Sequence, residues 1–310
     1  MQKLEIVGLG LCTLDVLVRL DACPSWSKPV RFEQMCFDGG GQTGTALCAT
    51  AKLGARSGFI GTAGNDWFGQ YKLQSLQEAG VDIKHIIRRN EPDNHIVLVF
   101  VDNICGERSF NLKHDFYQNT LKPHEIDKAY LTQAEILITE GHHFEATLAA
   151  AAWMHAEGKK VMLDGAATNA SSLSEEKIAL TQVTDILICG AGFAEALTGE
   201  ADLDQSGRAA LSLGPEIVVI TQGEHGSTFF SKDESFHTPA FEVNAIDTTG
   251  AGDVFHGAFL VGLLKRWDMR RICRFATAVA GIECTFLGGR SGIPTFSQVE
   301  DFLNQRGLRP

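Results

Sequence analysis

Short apolar runs alternate with segments of helical spacing along most of the chain. Each run is rich in β-branched residues and is bounded by Gly, Asp or Thr, as is typical of a buried strand. The strands predicted in this way are Leu4–Gly8, Ile136–Thr139, Val161–Leu163, Ile186–Cys189 and Ile217–Thr221. Helices are predicted between them, including Asp66–Ala79 and Glu145–Glu157. The alternation indicates a three-layer α/β/α fold, in which helices cover both faces of a mostly parallel sheet.

Two segments depart from this alternation, because neither is followed directly by a helix. Leu14–Leu20 forms one, and His95–Val101 with Arg108–Leu112 forms the other. All three runs are predicted as antiparallel strands. We interpret them as a small β-sheet lid on a larger α/β core. The predicted lid comprises residues 12–37 and 93–116, and the predicted core comprises residues 1–11, 38–92 and 117–310.

The lid strands carry apolar side chains on both faces. Val16, Val18 and Leu20 alternate on one side of the sheet, and Val97, Val99 and Val101 alternate on the other. Exposed apolar faces and open strand edges favour association with another copy. We therefore predict a homodimer that is joined through the two lids about a twofold axis.

The chain has 310 residues, of which 44% are hydrophobic and 21% are charged, and its formal net charge is −11. This acidic balance argues against nucleic acid or an anionic membrane as the main partner. The sequence has no apolar run of about 18 residues. It also begins without a leader pattern, so we expect no membrane span and a cytoplasmic location. Its eight scattered cysteines form no C-x-x-C pair and are expected to be reduced thiols.

A glycine-rich turn within residues 244–264 carries the most specific chemistry in the sequence. Gly250, Ala251 and Gly252 directly precede a strongly apolar helical segment. Free backbone N–H groups at such a helix start form an anion site, and the absence of a Cβ lets a phosphate approach closely. Asp253 lies in the first turn beside that site. This pairing suits phosphoryl transfer, in which the carboxylate accepts a proton from the attacking hydroxyl. The alternative is a helix cap without catalytic chemistry.

The segment DTTGAGDVFHGAF at residues 247–259 resembles the C-terminal motif of the ribokinase-like (PfkB) family of carbohydrate kinases. The resemblance also includes the glycine cluster after Asp38 and the TQG turn at 221–223, and it spans nearly the whole chain. The glycine cluster with Thr45 resembles a subgroup of this family that includes the sulfofructose kinases. The resemblance implies a ribokinase-like fold, ATP with Mg²⁺ as cofactors, Asp253 as the catalytic base and the Gly250–Asp253 backbone as the anion hole.

The resemblance also implies where the nucleotide and a monovalent cation bind. The implied nucleotide-binding residues are Thr221, Gly223, Thr249, Gly250 and Gly252. Asp247 and Thr249 match the positions of a potassium site beside the nucleotide. Gly190 and Phe193 occupy positions where the family often has an N-x-x-E motif linked to magnesium. Magnesium is therefore expected to rest on phosphate oxygens and water, or on Asp164 and Glu195.

The acceptor residues are predicted around the N-terminal glycine cluster. Gly40 and Gly41 let the backbone approach a polyhydroxy ligand, and Asp15 can accept hydrogen bonds from adjacent hydroxyls. The resemblance implies sugar contacts at these residues and at Thr45, where the family usually has Asn. Arg108 on the lid is predicted either to reach an anionic group of the substrate or to pair with its neighbour Glu107.

Two other glycine-rich nucleotide-binding motifs do not fit this cluster. Gly39, Gly41 and Gly44 formally match G-x-G-x-x-G, but a dinucleotide-binding motif follows a buried first strand, and the preceding segment is a poor one. A P-loop is excluded because Thr45, rather than Lys, follows Gly44.

The sequence therefore predicts an ATP-dependent carbohydrate kinase that phosphorylates a sugar hydroxyl. Aromatic side chains in the lid leave open a nucleoside kinase on the same fold, since bases stack on aromatic faces. The missing N-x-x-E motif leaves open a sugar-binding regulator without kinase activity. The lid is predicted to close over the substrate and to exclude water, with Gly39–Gly41 as a hinge.

Overall fold

The computed structural model describes residues 3–104, 108–166 and 172–308. The strands, numbered along the chain, are β1 Ile6–Leu9, β2 Thr13–Leu20, β3 Phe32–Gly40, β4 Ser57–Ala63, β5 Ile86–Arg88, β6 Ile96–Asp102, β7 Arg108–Leu112, β8 Ile136–Thr139, β9 Lys160–Gly165, β10 Ile186–Gly190, β11 Ile217–Thr221, β12 Ser227–Ser231 and β13 Ser235–Thr238. The α-helices are α1 Gln42–Lys52, α2 Trp67–Glu78, α3 Lys128–Leu131, α4 Phe144–Ala156, α5 Glu175–Gln182, α6 Ala191–Thr198, α7 Leu203–Leu211, α8 Ala251–Leu264, α9 Met269–Glu283 and α10 Phe296–Asn304.

The larger sheet has the spatial order β13-β12-β11-β10-β9-β8-β1-β4-β5. Neighbouring strands from β11 to β5 are parallel, whereas β12 and β13 pair antiparallel at one edge. All five predicted core strands and both predicted helices are present, with small shifts of their ends. The prediction of a mostly parallel α/β sheet is therefore confirmed.

Helices cover both faces of this sheet because side chains along each strand alternate between two apolar layers. On β8, Ile136 and Ile138 pack in a layer built mainly with α1, α8 and α9. Leu137 between them packs on the opposite side against α4. The predicted three-layer architecture is confirmed. Within the described residues, no helix is both long and apolar enough to cross a membrane.

The smaller sheet has the order β3-β2-β6-β7 and corresponds to the predicted lid. β2 pairs antiparallel with β3 but parallel with β6, so the prediction that all the lid strands are antiparallel is wrong. β2 and β6 are parallel because both strands run outward from the core. β3 was not predicted, because its side chains are mostly exposed and form no buried apolar run. It continues to Gly40, past the predicted end of this lid segment at residue 37.

The two faces of the lid have different surroundings. Val97 and Val99 are buried in a cluster with Phe116 and share a face with Asp15. These valines are therefore already buried within the chain itself, and a second lid is not needed to cover them. The outer face is apolar and at least partly exposed, and it carries Val16, Val18, Met35, Phe37 and Leu98.

Candidate active site

The glycine-rich turn starts α8 and forms one wall of the candidate site. Gly250 is the N-cap residue, with φ of +78° in the left-handed region that favours glycine. A Cβ there would lie 2.6 Å from the carbonyl oxygen of Gly289. The helix has no side-chain cap among the described residues. The Ala251 N–H donates to the Thr248 carbonyl at 3.3 Å, whereas the N–H groups of Gly252 and Asp253 have no backbone partner in the described part of the chain and are available to an anion.

The half-buried Asp253 lies among other ionisable groups. Burial, and then the neighbouring Asp164, raise the pKa of Asp253 well above its ordinary value, whereas the charge of Arg290 lowers it. Carboxylate oxygens of Asp253 and Asp164 and a ring nitrogen of His256 lie within 4.8 Å of one another. A raised pKa makes the ionised carboxylate a stronger base, which suits removal of a hydroxyl proton.

A cavity of about 710 Å³ lies beside the start of α8. Thr221 and Gly223 line one part of it, and Ala251 and Gly252 line the part next to the start of α8. Its other walls are mostly apolar and include Phe241, Val243, Phe255 and Ala280. The structure thus brings the predicted nucleotide residues Thr221, Gly223 and Gly252 to one cavity. An apolar slot that ends at free N–H groups has the polarity needed for a base followed by phosphates.

Asp15 on the inner lid face approaches the turn between β3 and α1. A Cβ on Gly40 would lie 2.1 Å from Asp15 Oδ2, so this approach requires glycine. Gly41, with φ of +83°, is the N-cap of α1. Asp15 is 6% exposed, and burial raises its pKa to about 6. Its Oδ1 accepts a hydrogen bond of 2.5 Å from the Thr13 hydroxyl.

Arg290 connects this turn to α1 and α2. Its guanidinium donates to Thr45 Oγ1 at 3.2 Å, to Ser75 Oγ at 2.5 Å and to the carbonyl of Gly40. Its backbone N–H donates to Asp38 Oδ2 at 3.0 Å. The sequence pattern does not indicate these contacts of Arg290, and the structure buries the residue to 6% exposure. The Thr45 oxygen is therefore bound to the protein itself through this arginine.

The structure adds a buried acid that the sequence analysis missed. Glu140 directly follows β8 and accepts hydrogen bonds from the Leu11 N–H at 3.0 Å and from the Thr43 hydroxyl. Burial raises the pKa of Glu140. The available signal was its position, since an acid directly after a strand of a parallel sheet lies at the edge where ligands bind.

The family model of the pfkB family carbohydrate kinases matches residues 3–295 of the chain. The chain belongs to this family. Among its curated relatives, a 5-dehydro-2-deoxygluconokinase of Shouchella clausii (strain KSM-K16) is 29% identical over 333 residues, which cover 98% of this chain and 97% of the relative. The recognition of the family from the glycine motifs is confirmed, and so is the assignment to the carbohydrate kinases.

Two solved structures of ribokinases confirm the ribokinase-like fold. The ribokinase of Thermotoga maritima is 29% identical and superposes with a TM-score of 0.82, over 97% of this chain and 99% of that one. The Arabidopsis thaliana ribokinase, complexed with ribose and ATP, is 21% identical with a TM-score of 0.80, over the same shares of the two chains. At this identity the second likeness concerns the fold alone.

The chain departs from the usual pfkB-family motif before α6. Gly190 is the N-cap of this helix, and Phe193 is buried at 1% exposure. These two positions thus offer neither an amide nor a carboxylate to a magnesium ion. They do not fit a metal held there by side chains.

The predicted potassium residues of this pfkB-family chain form a closed hydrogen-bond cluster. Asp247 Oδ1 accepts from the backbone N–H and the hydroxyl of Thr249, at 2.8 and 2.7 Å. Asp247 Oδ2 accepts from the Gly288 N–H at 3.0 Å. Nearby, Glu283 is fully buried, and neither of its carboxyl oxygens has a partner in the described part of the chain. Burial and Asp247 raise the pKa of Glu283 to about 10.

The lid residue Arg108 is exposed at the start of β7, on the inner face that also carries Asp15. Its guanidinium carbon lies 5.9 Å from the ring centroid of Phe110. The alternative partner Glu107 lies outside the described residues. A contact between Arg108 and a substrate anion stays a prediction.

Proposed function

We propose that this protein transfers the γ-phosphoryl group of ATP to a hydroxyl of a sugar or sugar derivative. One observation carries the proposal: Asp253 lies in the first turn of α8, where the cavity lined by Thr221, Gly223 and Gly252 ends. The charges of Asp164 and Asp15 raise the pKa of Asp253, and the charge of Arg290 lowers it. A base at the junction of a donor cavity and an acceptor wall is what an in-line phosphoryl transfer requires.

In the proposed mechanism, Asp253 accepts the proton of the acceptor hydroxyl as that oxygen attacks the γ-phosphorus. The N–H groups of Gly250–Asp253 bind the negative charge that develops on the transferred group. Asp15 orients the acceptor by accepting hydrogen bonds from its other hydroxyls. Because the pKa of Asp253 is raised, the reaction rate should increase with pH as this carboxyl ionises.

We propose that ATP binds with its base between the apolar walls near Phe241 and Val243 and its phosphates at Gly252. Magnesium bound with ATP would neutralise charge on the phosphate oxygens. Since Gly190 and Phe193 offer no ligand, the ion would be held by phosphates and water.

The lid is proposed to exclude water from the transferred phosphoryl group, since water would otherwise hydrolyse ATP. Its inner face would contribute Asp15 and Arg108 to the acceptor site. The glycines at 39–41, at the junction of β3 and α1, would absorb the change of backbone angles on closure.

The proposed function is tested by measuring ADP release with ATP and a panel of ketoses, aldoses, sugar acids and nucleosides. We expect sugar-dependent ADP release and a phosphorylated sugar in the product. Turnover of nucleosides alone would make the protein a nucleoside kinase. Saturable sugar binding by calorimetry without any ADP release would favour the regulator instead.

The predicted potassium site leads to a cation-dependence experiment. The buried acids Asp247 and Glu283 lie near each other, and the Glu283 carboxyl has no hydrogen-bond partner in the described part of the chain. A buried carboxylate of this kind is destabilised unless a proton or a cation neutralises it. We expect higher activity in K⁺ than in Na⁺ at equal ionic strength. We also expect K⁺ to raise the Tm of the protein without nucleotide, more at pH 9 than at pH 6, because Glu283 gives up its proton near pH 10.

The matched variant for this experiment is Glu283→Gln. It should lose the pH-dependent part of the Tm increase, because an amide needs no cation. In the absence of K⁺, the raised pKa means that wild-type stability falls as pH rises towards 10, and the amide should remove that fall. Equal Tm and activity in the two cations would refute a potassium site.

The outer lid face predicts the oligomeric state. Met35 and Leu98 are 49% and 45% exposed, and together with Phe37 they form an apolar face that a second lid would bury. We expect light scattering at micromolar concentration to give twice the 33.6 kDa of the chain. Leu98→Asp should give the monomer mass, because it places a charge in the contact. A wild-type mass of one chain would contradict the dimer.

A further inference from the structure

The hairpin between β2 and β3 ends in an exposed tryptophan. Ser25 and Lys28 pair at this tip, where the Lys28 N–H donates to the Ser25 carbonyl at 3.2 Å, and Trp26 lies in the turn between them. The Trp26 side chain is fully exposed, and within the described residues it has neither a ring contact nor a hydrogen bond. Tryptophan is on average highly buried in folded proteins because its ring is large and mostly apolar. The described part of the chain thus supplies no surface that covers Trp26.

A second group of exposed rings lies at the base of the outer lid face, where α2 begins. We call it the basal aromatic cluster, and it consists of Phe37, Trp67, Phe68 and Tyr71. The ring centroids of Phe37 and Trp67 are 5.7 Å apart, and these side chains are 40% and 52% exposed. The Tyr71 hydroxyl donates to the Phe37 carbonyl at 2.9 Å, which joins the helix to the lid strand.

The helix that carries this cluster is firmly held to the core. Asp66 caps it by accepting from the Gly69 N–H at 3.0 Å. Lys72 is fully buried, and its Nζ lies 2.7 Å from Oδ2 of Asp93, a buried acid ahead of β6. A surface that is already rigid loses little conformational freedom when a partner binds. The basal aromatic cluster is therefore a preformed apolar surface.

The charge of the hairpin tip indicates what kind of surface it fits. Residues 25–31 contain Lys28 and Arg31 but no acid, whereas the whole chain has a formal net charge of −11. Neither cation has an ion-pair partner within the described residues. A cationic tip is complementary to the acidic surface of a second copy, whereas two such tips repel each other.

The tip and the basal aromatic cluster lie at opposite ends of one lid. Phe37 pairs with the first half of β2, and Trp26 lies beyond the end of β2 at Leu20. A twofold axis between two outer faces, perpendicular to the strands and level with Leu20, reverses the strand direction and places each tip over the other base. An axis along the strands would instead bring the two cationic tips together. We infer that Trp26 of each copy docks on the basal aromatic cluster of the other copy, in two equivalent contacts.

This inference rests on the lid dimer proposed above and does not depend on the phosphoryl transfer. Trp26→Ala removes no side-chain contact within the described part of its own chain, so the variant monomer should fold. We expect the dimer Kd from sedimentation to rise about 100-fold or more, because a buried tryptophan is a typical hot spot and the contact occurs twice. Ile104→Ala is the control, since Ile104 is 88% exposed at the other hairpin of the lid. It should keep the wild-type Kd.

Mixing two variants tests whether the tip meets the base. Trp67→Ala should also weaken the dimer, because it removes the most exposed ring of the basal aromatic cluster. A homodimer of either variant has no intact contact. A mixed dimer has one, which is formed by Trp26 of the Trp67→Ala copy and Trp67 of the Trp26→Ala copy. At a concentration where each variant alone is monomeric, we therefore expect their mixture to contain dimers by sedimentation velocity.

The outcomes separate the docking from the dimer. A dimer of either variant that is as tight as the wild type would overturn the docking and leave the lid dimer in place. Weakening by both variants without recovery on mixing would also overturn it, because the tip would then meet another surface. A monomeric wild type would overturn both the docking and the dimer. None of these measurements uses ADP release, so a failure of the proposed kinase activity is recognised independently.

Discussion

Asp253→Asn should lower kcat by on the order of 10²-fold or more, because it keeps the shape of the side chain and removes the proton acceptor. ATP binding should be largely kept, since the first-turn N–H groups of α8 are unchanged. Initial-rate kinetics and calorimetric titration with ATP check the two statements. The increase of rate with pH that the raised pKa of Asp253 predicts should also disappear.

The Tm of Asp253→Asn should show that its loss of activity does not come from misfolding. The folded-state pKa of Asp253 lies above its ordinary value, so the stability that the carboxyl contributes is lost as pH rises through that pKa. Asn does not titrate, and Tm at pH 8 should therefore be equal or higher in the variant. Asp202→Asn is the control, because Asp202 is an exposed helix-cap acid on α7. Near-wild-type turnover of Asp253→Asn would refute the mechanism.

Arg290→Met should lower kcat/KM at pH 7 by about 10-fold or more, through two effects. The positive charge of Arg290 lowers the pKa of Asp253, so its removal should move the increase of rate with pH to higher pH. Below the pKa of a carboxyl, raising that pKa by about 1 lowers the ionised fraction about tenfold. The variant also leaves the Gly40 carbonyl, Thr45 and Ser75 without their donor. The pH profile of kcat/KM checks the first effect.

Arg290→Lys distinguishes the two roles of this arginine. Lysine keeps the positive charge but cannot reproduce the guanidinium fork that binds Gly40, Thr45 and Ser75 together. We expect Arg290→Lys to keep the wild-type pH profile while raising the KM for the acceptor, because the acceptor turn is held less firmly. Identical pH profiles in wild type and Arg290→Met would rule out the electrostatic role.

Local patterns carried much of what could be predicted. The alternation of apolar runs and helical spacing indicated the parallel sheet, because buried strands and amphipathic helices leave their period in the sequence. The GAGD turn at the start of α8 could be predicted as a candidate anion site, since a left-handed Gly250 followed by free N–H groups is a property of a few adjacent residues. Family membership followed from the same motifs.

Contacts between distant residues left no such pattern. Arg290 binds Gly40 and Thr45 across about 250 residues of sequence, so its role could not be read from its own loop. Glu140, at the end of β8, binds Thr43 on α1, and the direction of β2 relative to β6 depends on both strands running outward from the core.

The sequence by itself thus determined the fold class and the backbone of the candidate anion site, because both depend on short-range periodicity and backbone geometry. Only the tertiary structure decided which charged groups surround Asp253 and what His256 contacts. The sheet brings the ends of β9 and β10 next to the start of α8, and this proximity, rather than any spacing along the chain, sets the electrostatics of the site.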